Sequence, residues 1–164
     1  MKNRPSQETE APDPPPMYDA LILTATSDVR YTDLSPGLSD DQIRAMSLFM
    51  PVDHVKAMAR ECPVVHIKRL LAATEVEVDH LDGGIDLWRD LGAVLADDPQ
   101  MNFGAMWLVQ HLRSPLGVPV IYGPVIFTSR DSDGLPRPLS VDAIRLLQRT
   151  LTLSVEKAQI PTTG

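Results

Sequence analysis

Hydrophobic and polar positions alternate most regularly in the stretch EVEVDHLDGGIDLWRDL, residues 75–91. A period of two sends successive side chains to opposite faces of a strand. The Asp-Gly-Gly in the middle supplies residues that a tight turn favours. The expected element is a β-hairpin. Within it, Glu75, Glu77 and Asp79 share a face of the first strand, and Asp86, Trp88 and Asp90 share a face of the second. A two-residue loop, at Asp82-Gly83 or Gly83-Gly84, puts both sets on one side, as five carboxylates around Trp88. A three-residue loop would mix the faces.

Upstream, the apolar run at 20–26 predicts a strand, followed by a turn at Ser27-Asp28 and a short strand over 29–33. Ser39 and Gln42 have the spacing of a capping box, and Ile43, Met46 and Met50 form a stripe behind it. A second helical piece starts near Pro51 and is expected to stop at Pro63, with strand character resuming at Val64. Downstream, NFGAMWLVQHL predicts a helix capped by Asn102, and Gly104 in its first turn permits a close approach to a strand. VPVIYGPVIFTS reads as a strand carrying a bulge or an open edge at Gly123-Pro124. Ser140 then caps a helix whose buried stripe is Ala143, Ile144, Leu147 and Leu151. Strands and helices do not alternate as in doubly wound folds. The pattern predicts an α+β fold: a small, mainly antiparallel sheet with two or three helices packed on one side.

Composition bounds this picture. The chain has 164 residues, enough for one domain, and 43% of them are hydrophobic, enough for a core. The expected organisation is a disordered, proline-rich leader over 1–16, one domain over 17–155 and a frayed tail over 156–164. Cys62 is the only cysteine, which excludes an intramolecular disulfide framework and a cysteine-based zinc site. No stretch is long and apolar enough to cross a membrane, and the start lacks the apolar core of a signal peptide, so a cytoplasmic location is expected.

Charge changes the picture more. Residues 71–100 hold eight acids and one base, Arg89, a net of -7, while the rest of the chain is balanced. A nucleic-acid backbone favours the opposite sign. Like charges facing each other across a hairpin cost a few tenths to about 1 kcal/mol per pair. Glu75, Glu77, Asp79, Asp86, Trp88 and Asp90 are therefore candidates for a face that binds a cationic partner, with Trp88 as its aromatic anchor. A solvated outer face is the plainer reading of the same residues. An acidic strand face also imitates a phosphate backbone, so a nucleic-acid-binding protein is among the possible partners. Neither direct nucleic-acid binding nor a membrane is expected.

Catalytic signals are weaker. Ser129, Asp131, Asp133 and Gly134 occupy the first positions of a calcium loop, but Ser140 stands where a bidentate Glu is needed. A turn between a strand and a helix accounts for them. No nucleophile elbow, dinucleotide fingerprint or phosphate loop occurs, and the four histidines lack metal-ligand spacing. No cofactor, metal ligand or catalytic residue is assigned. The favoured function is a non-enzymatic protein that binds or modulates a host or replication protein through an acidic sheet face. The alternative is a small divalent-metal-dependent enzyme using carboxylates of the 75–90 hairpin.

Three further motifs, Asn102 with Ala105, Ile121 with Gly123 and Val125, and Asp133 with Gly134, follow the strand DALILTATSDVRYTDL in order. Together they resemble the DUF3846 family of small phage and mobile-element proteins. The similarity covers residues 18–140. The chain departs from the family's pattern in its proline-rich leader, in the two-part helical region at 39–61 and in Pro124. The resemblance implies a phage or mobile-element setting and brings no reaction or catalytic residues with it.

Overall fold

The computed structural model describes residues 19–34, 38–113, 117 and 119–158, without the side chains of 60–62 and 154–158. The expected leader and most of the expected tail, including residues 159–164, lie outside the described residues. So does Cys62's side chain.

The fold is α+β, as the alternation predicts. Its sheet is antiparallel and six-stranded: β1 (Ala20–Leu23), β2 (Val29–Thr32), β3 (Val76–Leu81), β4 (Ile85–Asp90), β5 (Val125–Arg130) and β6 (Pro136–Arg137). Five strands run in the order β2-β1-β5-β4-β3, and β6 pairs with the end of β5 beyond β1. The central strand β5 is buried along most of its length, which suits its continuous apolar run.

The strand alternation divides the core in two. Leu21, Leu23, Leu87, Val125 and Phe127 point to one face, where α3 (Phe103–Leu112) and α4 (Val141–Ala158) cover them with Leu108, Leu112, Ile144 and Leu147. Ala20, Trp88 and Ile126 point to the other face and meet Ile67 and Leu71 from the end of α2 (Val52–Leu70). Each Val, Leu, Ile or Phe among them contributes roughly 1.5–3 kcal/mol by leaving water. Two helices thus lie on one side, as the pattern predicts, and a third element, α2, closes part of the reverse side.

Helix caps are where the sequence placed them. Ser39 and Gln42 form a reciprocal capping box at the start of α1 (Asp40–Met46). The Ser140 hydroxyl accepts the Ala143 N–H at 3.1 Å, opening α4. Two expectations fail. The segment from Val64 is helical, and α2 continues through Pro63 to Leu70. Proline removes one helical hydrogen bond, but Val55, Ala59, Pro63 itself, Ile67 and Leu71 recur every four residues and bury one helix face. Their burial outweighs the lost bond. The strand expected over 118–129 begins only at Val125, because Gly123 takes a positive φ of 71° and Pro124 cannot donate to a ladder.

Candidate functional site

The hairpin forms, but its loop has three residues. Leu81 pairs with Ile85, leaving Asp82, Gly83 and Gly84 in the turn. Gly83 and Gly84 have φ of 76° and 69°, a left-handed backbone open to glycine at little cost. The odd loop moves β4 by one residue relative to the register that would have joined the acids. Glu77 lies opposite Arg89, Val78 opposite Trp88, Asp79 opposite Leu87, and His80 opposite Asp86.

The expected acidic face therefore does not exist as one surface, which corrects the grouping of Glu75, Glu77, Asp79, Asp86, Trp88 and Asp90. Glu77 and Asp79 lie on the face covered by α3 and α4; Asp86, Trp88 and Asp90 lie on the reverse face. Trp88 is only 6% exposed and donates its indole N–H to the Thr128 hydroxyl at 2.9 Å, so it is a core residue. It is unavailable as a surface anchor. Glu75 is exposed just before β3.

The buried acids are matched by arginines. Asp79 accepts Arg89 Nε on one oxygen and Arg113 Nη1 on the other, both at 3.1 Å, and Arg89 also pairs with Glu77. Arg113 follows α3 directly, so this network ties the hairpin to the helical layer. Asp86 is 2% exposed; its Oδ1 lies 2.6 Å from both Arg130 Nη1 and His80 Nδ1. Arg130 additionally donates to the carbonyls of Ile85 and Leu81, the residues on either side of the loop. One side chain thus clamps both ends of the odd turn. The two buried carboxylates project from opposite faces, each against a cation, and do not converge on a common substrate or ion. Among the described residues, no three His, Cys, Asp or Glu side chains are grouped to hold a metal.

The calcium-like sequence is a self-contained turn. Asp131 Oδ1 accepts the N–H groups of Asp133 and Leu135, and Oδ2 accepts Arg137 Nε at 3.0 Å. Burial pushes the Asp131 pKa up, but the bonds from Leu135, Arg137 and Asp133 together hold it below the usual carboxylate value. Arg137 in turn reaches Asp40 at the start of α1.

The feature that sequence reasoning missed lies just beyond the hairpin. Leu91, Val94, Leu95, Met101, Phe103 and Val120 are all exposed, Leu95 at 84% and Phe103 at 67%. Leu91, Val94, Val120 and Tyr122 line one shallow groove of about 190 Å³. Met101 bridges to Tyr122, and the Asn102 N–H donates to the Ile121 carbonyl, which joins the segment before α3 to residues 121–122. Together the two segments, 91–103 and 120–122, carry these exposed side chains as an apolar rim.

Asn102 fixes the rim to the scaffold. It is fully buried; its amide nitrogen donates to the carbonyls of Leu23 and Gly123, while its oxygen accepts the Ala105 N–H. It is the expected cap and also joins β1, α3 and the residues leading into β5. Gly104 allows the approach, since a Cβ there would stand 3.2 Å from Leu23 Cδ2. Part of the rim is visible in the sequence: in GAVLADDPQM the apolar run 93–96 has no helical or strand period.

A second apolar exposure, Leu48, Phe49 and Val52, stands at the turn between α1 and α2. A larger open groove of about 670 Å³ lies beside α2 and contains Lys56, Lys68, Asp53 and Asp133, so its charged lining is mixed.

No family model, curated protein or solved structure matches this chain. No helix of the described residues is long and apolar enough to cross a membrane.

Proposed function

We propose that this protein is a non-enzymatic binding module that modulates a host or replication protein by holding it at the apolar rim of residues 91–103 and 120–122. The carrying observation is a groove lined by Leu91, Val94 and Val120 on a sheet-anchored scaffold, with Leu95 and Phe103 largely exposed on the segment that follows Val94. Contiguous apolar surface costs solubility and marks interaction sites, and loops on a rigid frame are the usual carriers of such sites. The reading keeps the protein-binding role inferred from charge and moves it from the sheet face to the loops. The phage or mobile-element setting implied by the DUF3846 resemblance belongs to the same reading.

A photo-crosslinking amino acid placed at Leu95 tests it, with the same residue at exposed Arg145 on α4 as control. In the native cell, the position-95 protein should give a discrete adduct with one other protein. Phe103→Asp should remove that adduct. Equal adducts from both positions, or none from position 95, would sink the proposal.

A further inference from the structure

We infer that the partner's contacting element is a basic amphipathic segment, whose apolar side chain seats in the groove between Leu91, Val94 and Val120 while its lysines or arginines meet the surrounding carboxylates. This rests on the rim being a protein-binding surface and specifies what that surface takes. The groove, at about 190 Å³, accommodates an apolar anchor of about one side chain.

The charge around it is mainly negative, and its one cation, Arg89, is already paired. Asp97 and Asp98 are exposed in the loop joining Leu95 to Met101. Asp90 lines the groove itself. Glu75 joins them, because its carbonyl accepts the Leu91 N–H at 3.2 Å and places it beside the rim. Between residues 90 and 110 there is no Lys or Arg, and none occurs between 117 and 129. Arg89 reaches the groove but is engaged by Glu77 and Asp79. An anionic lipid surface would be repelled, and a second copy would bring the same carboxylates against these. A cationic segment gains complementary attraction, which favours fast encounter and rejects acidic competitors.

The test uses the full chain, isotope-labelled, and three synthetic helical peptides sharing a leucine stripe and carrying Lys, Gln or Glu on the polar face. The Lys peptide should bind with amide shifts confined to residues 75, 90–103 and 120–122. Its affinity should fall at least about tenfold on Asp97→Lys with Asp98→Lys, and should fall with rising salt. Leu95→Ser should weaken it without moving shifts elsewhere. Binding of the Glu peptide as tightly as the Lys peptide, or Lys-peptide shifts centred away from the rim, would overturn the inference. So would adsorption of the protein to anionic phosphatidylserine vesicles through the rim. If Leu95 crosslinks to a protein in cells but the Lys peptide does not bind the rim, the charge assignment fails and the binding surface stands. Failure of both removes the surface itself.

Discussion

The hairpin of residues 76–90 and the rim that follows it handle their side chains in opposite ways. The hairpin takes charge inside. Asp79 and Asp86 are buried, and Arg89, Arg113 and Arg130 are drawn in to match them. The rim leaves hydrocarbon outside, with Leu95 and Phe103 in water and carboxylates around them. Burying an ion pair offers little net stability, although breaking one is costly. Exposing large apolar groups adds nothing to folding. The difference teaches that the hairpin's charge specifies a register, whereas the rim's apolar surface has no folding role that would explain it. Function is better sought where side chains stand against the folding tendency without a structural partner.

Changing the loop parity should break this comparison most severely. Deletion of Gly84 leaves a two-residue turn, and a one-residue slip reverses the faces of one strand against the other. Either Leu87 leaves the core or the Glu77–Arg89 and Val78–Trp88 pairs are lost. The expected outcome is loss of the cooperative thermal transition, followed by near-ultraviolet circular dichroism. A melting point within about 5 °C of the parent would show that the odd loop does not set the register.

Removing one charge comes next. Asp86→Ala leaves Arg130 partly buried with only the Leu81 and Ile85 carbonyls as acceptors. A stability loss of about 3 kcal/mol is expected in urea unfolding. A loss below about 1 kcal/mol would mean that the carbonyl contacts alone carry the clamp.

Much of the fold was legible in the sequence because short-range rules governed it. The Ser39–Gln42 box, the Asn102 and Ser140 caps and the stripe of α4 are local patterns, and the structure contains each. The alternation of β3 and β4 was equally legible, strand by strand. What failed was the relation between them, since Asp-Gly-Gly admits loops of two or three residues and one residue inverts the result. The end of α2 was misread because Pro63 was given more weight than the four-residue spacing of the buried side chains around it. The rim escaped notice because its apolar residues come from two segments, separated in sequence by α3 and joined by the Met101–Tyr122 bridge and the backbone hydrogen bonds beside it.

The Asp131 turn offers a milder, pH-dependent contrast, in which a charge is partnered near the surface. The folded-state pKa is lowered, so the unfolded chain binds the proton more readily. The resulting stability is present above the unfolded carboxylate value of about 3.9 and disappears as pH falls through the lower folded value. Asp131→Asn should therefore cost about 1 kcal/mol at neutral pH, and the gap from the parent should narrow as the solution is acidified below about pH 4. A gap independent of pH across that window would assign the loss to geometry alone, leaving the carboxylate's charge without effect.

The smallest effect should come from Leu95→Ser in the rim. At 84% exposure, this leucine gives up little burial on unfolding, and its loss opens no cavity. The expected change in unfolding free energy is within about 0.5 kcal/mol, measured by urea denaturation beside the parent. Binding of the Lys peptide to the rim should nevertheless weaken. That separation is the sharpest form of the contrast, because a side chain that holds the fold cannot be removed without a stability cost, while one that serves only a partner can. A loss of about 2 kcal/mol would place Leu95 among the packing residues and leave the rim without a reason to be exposed.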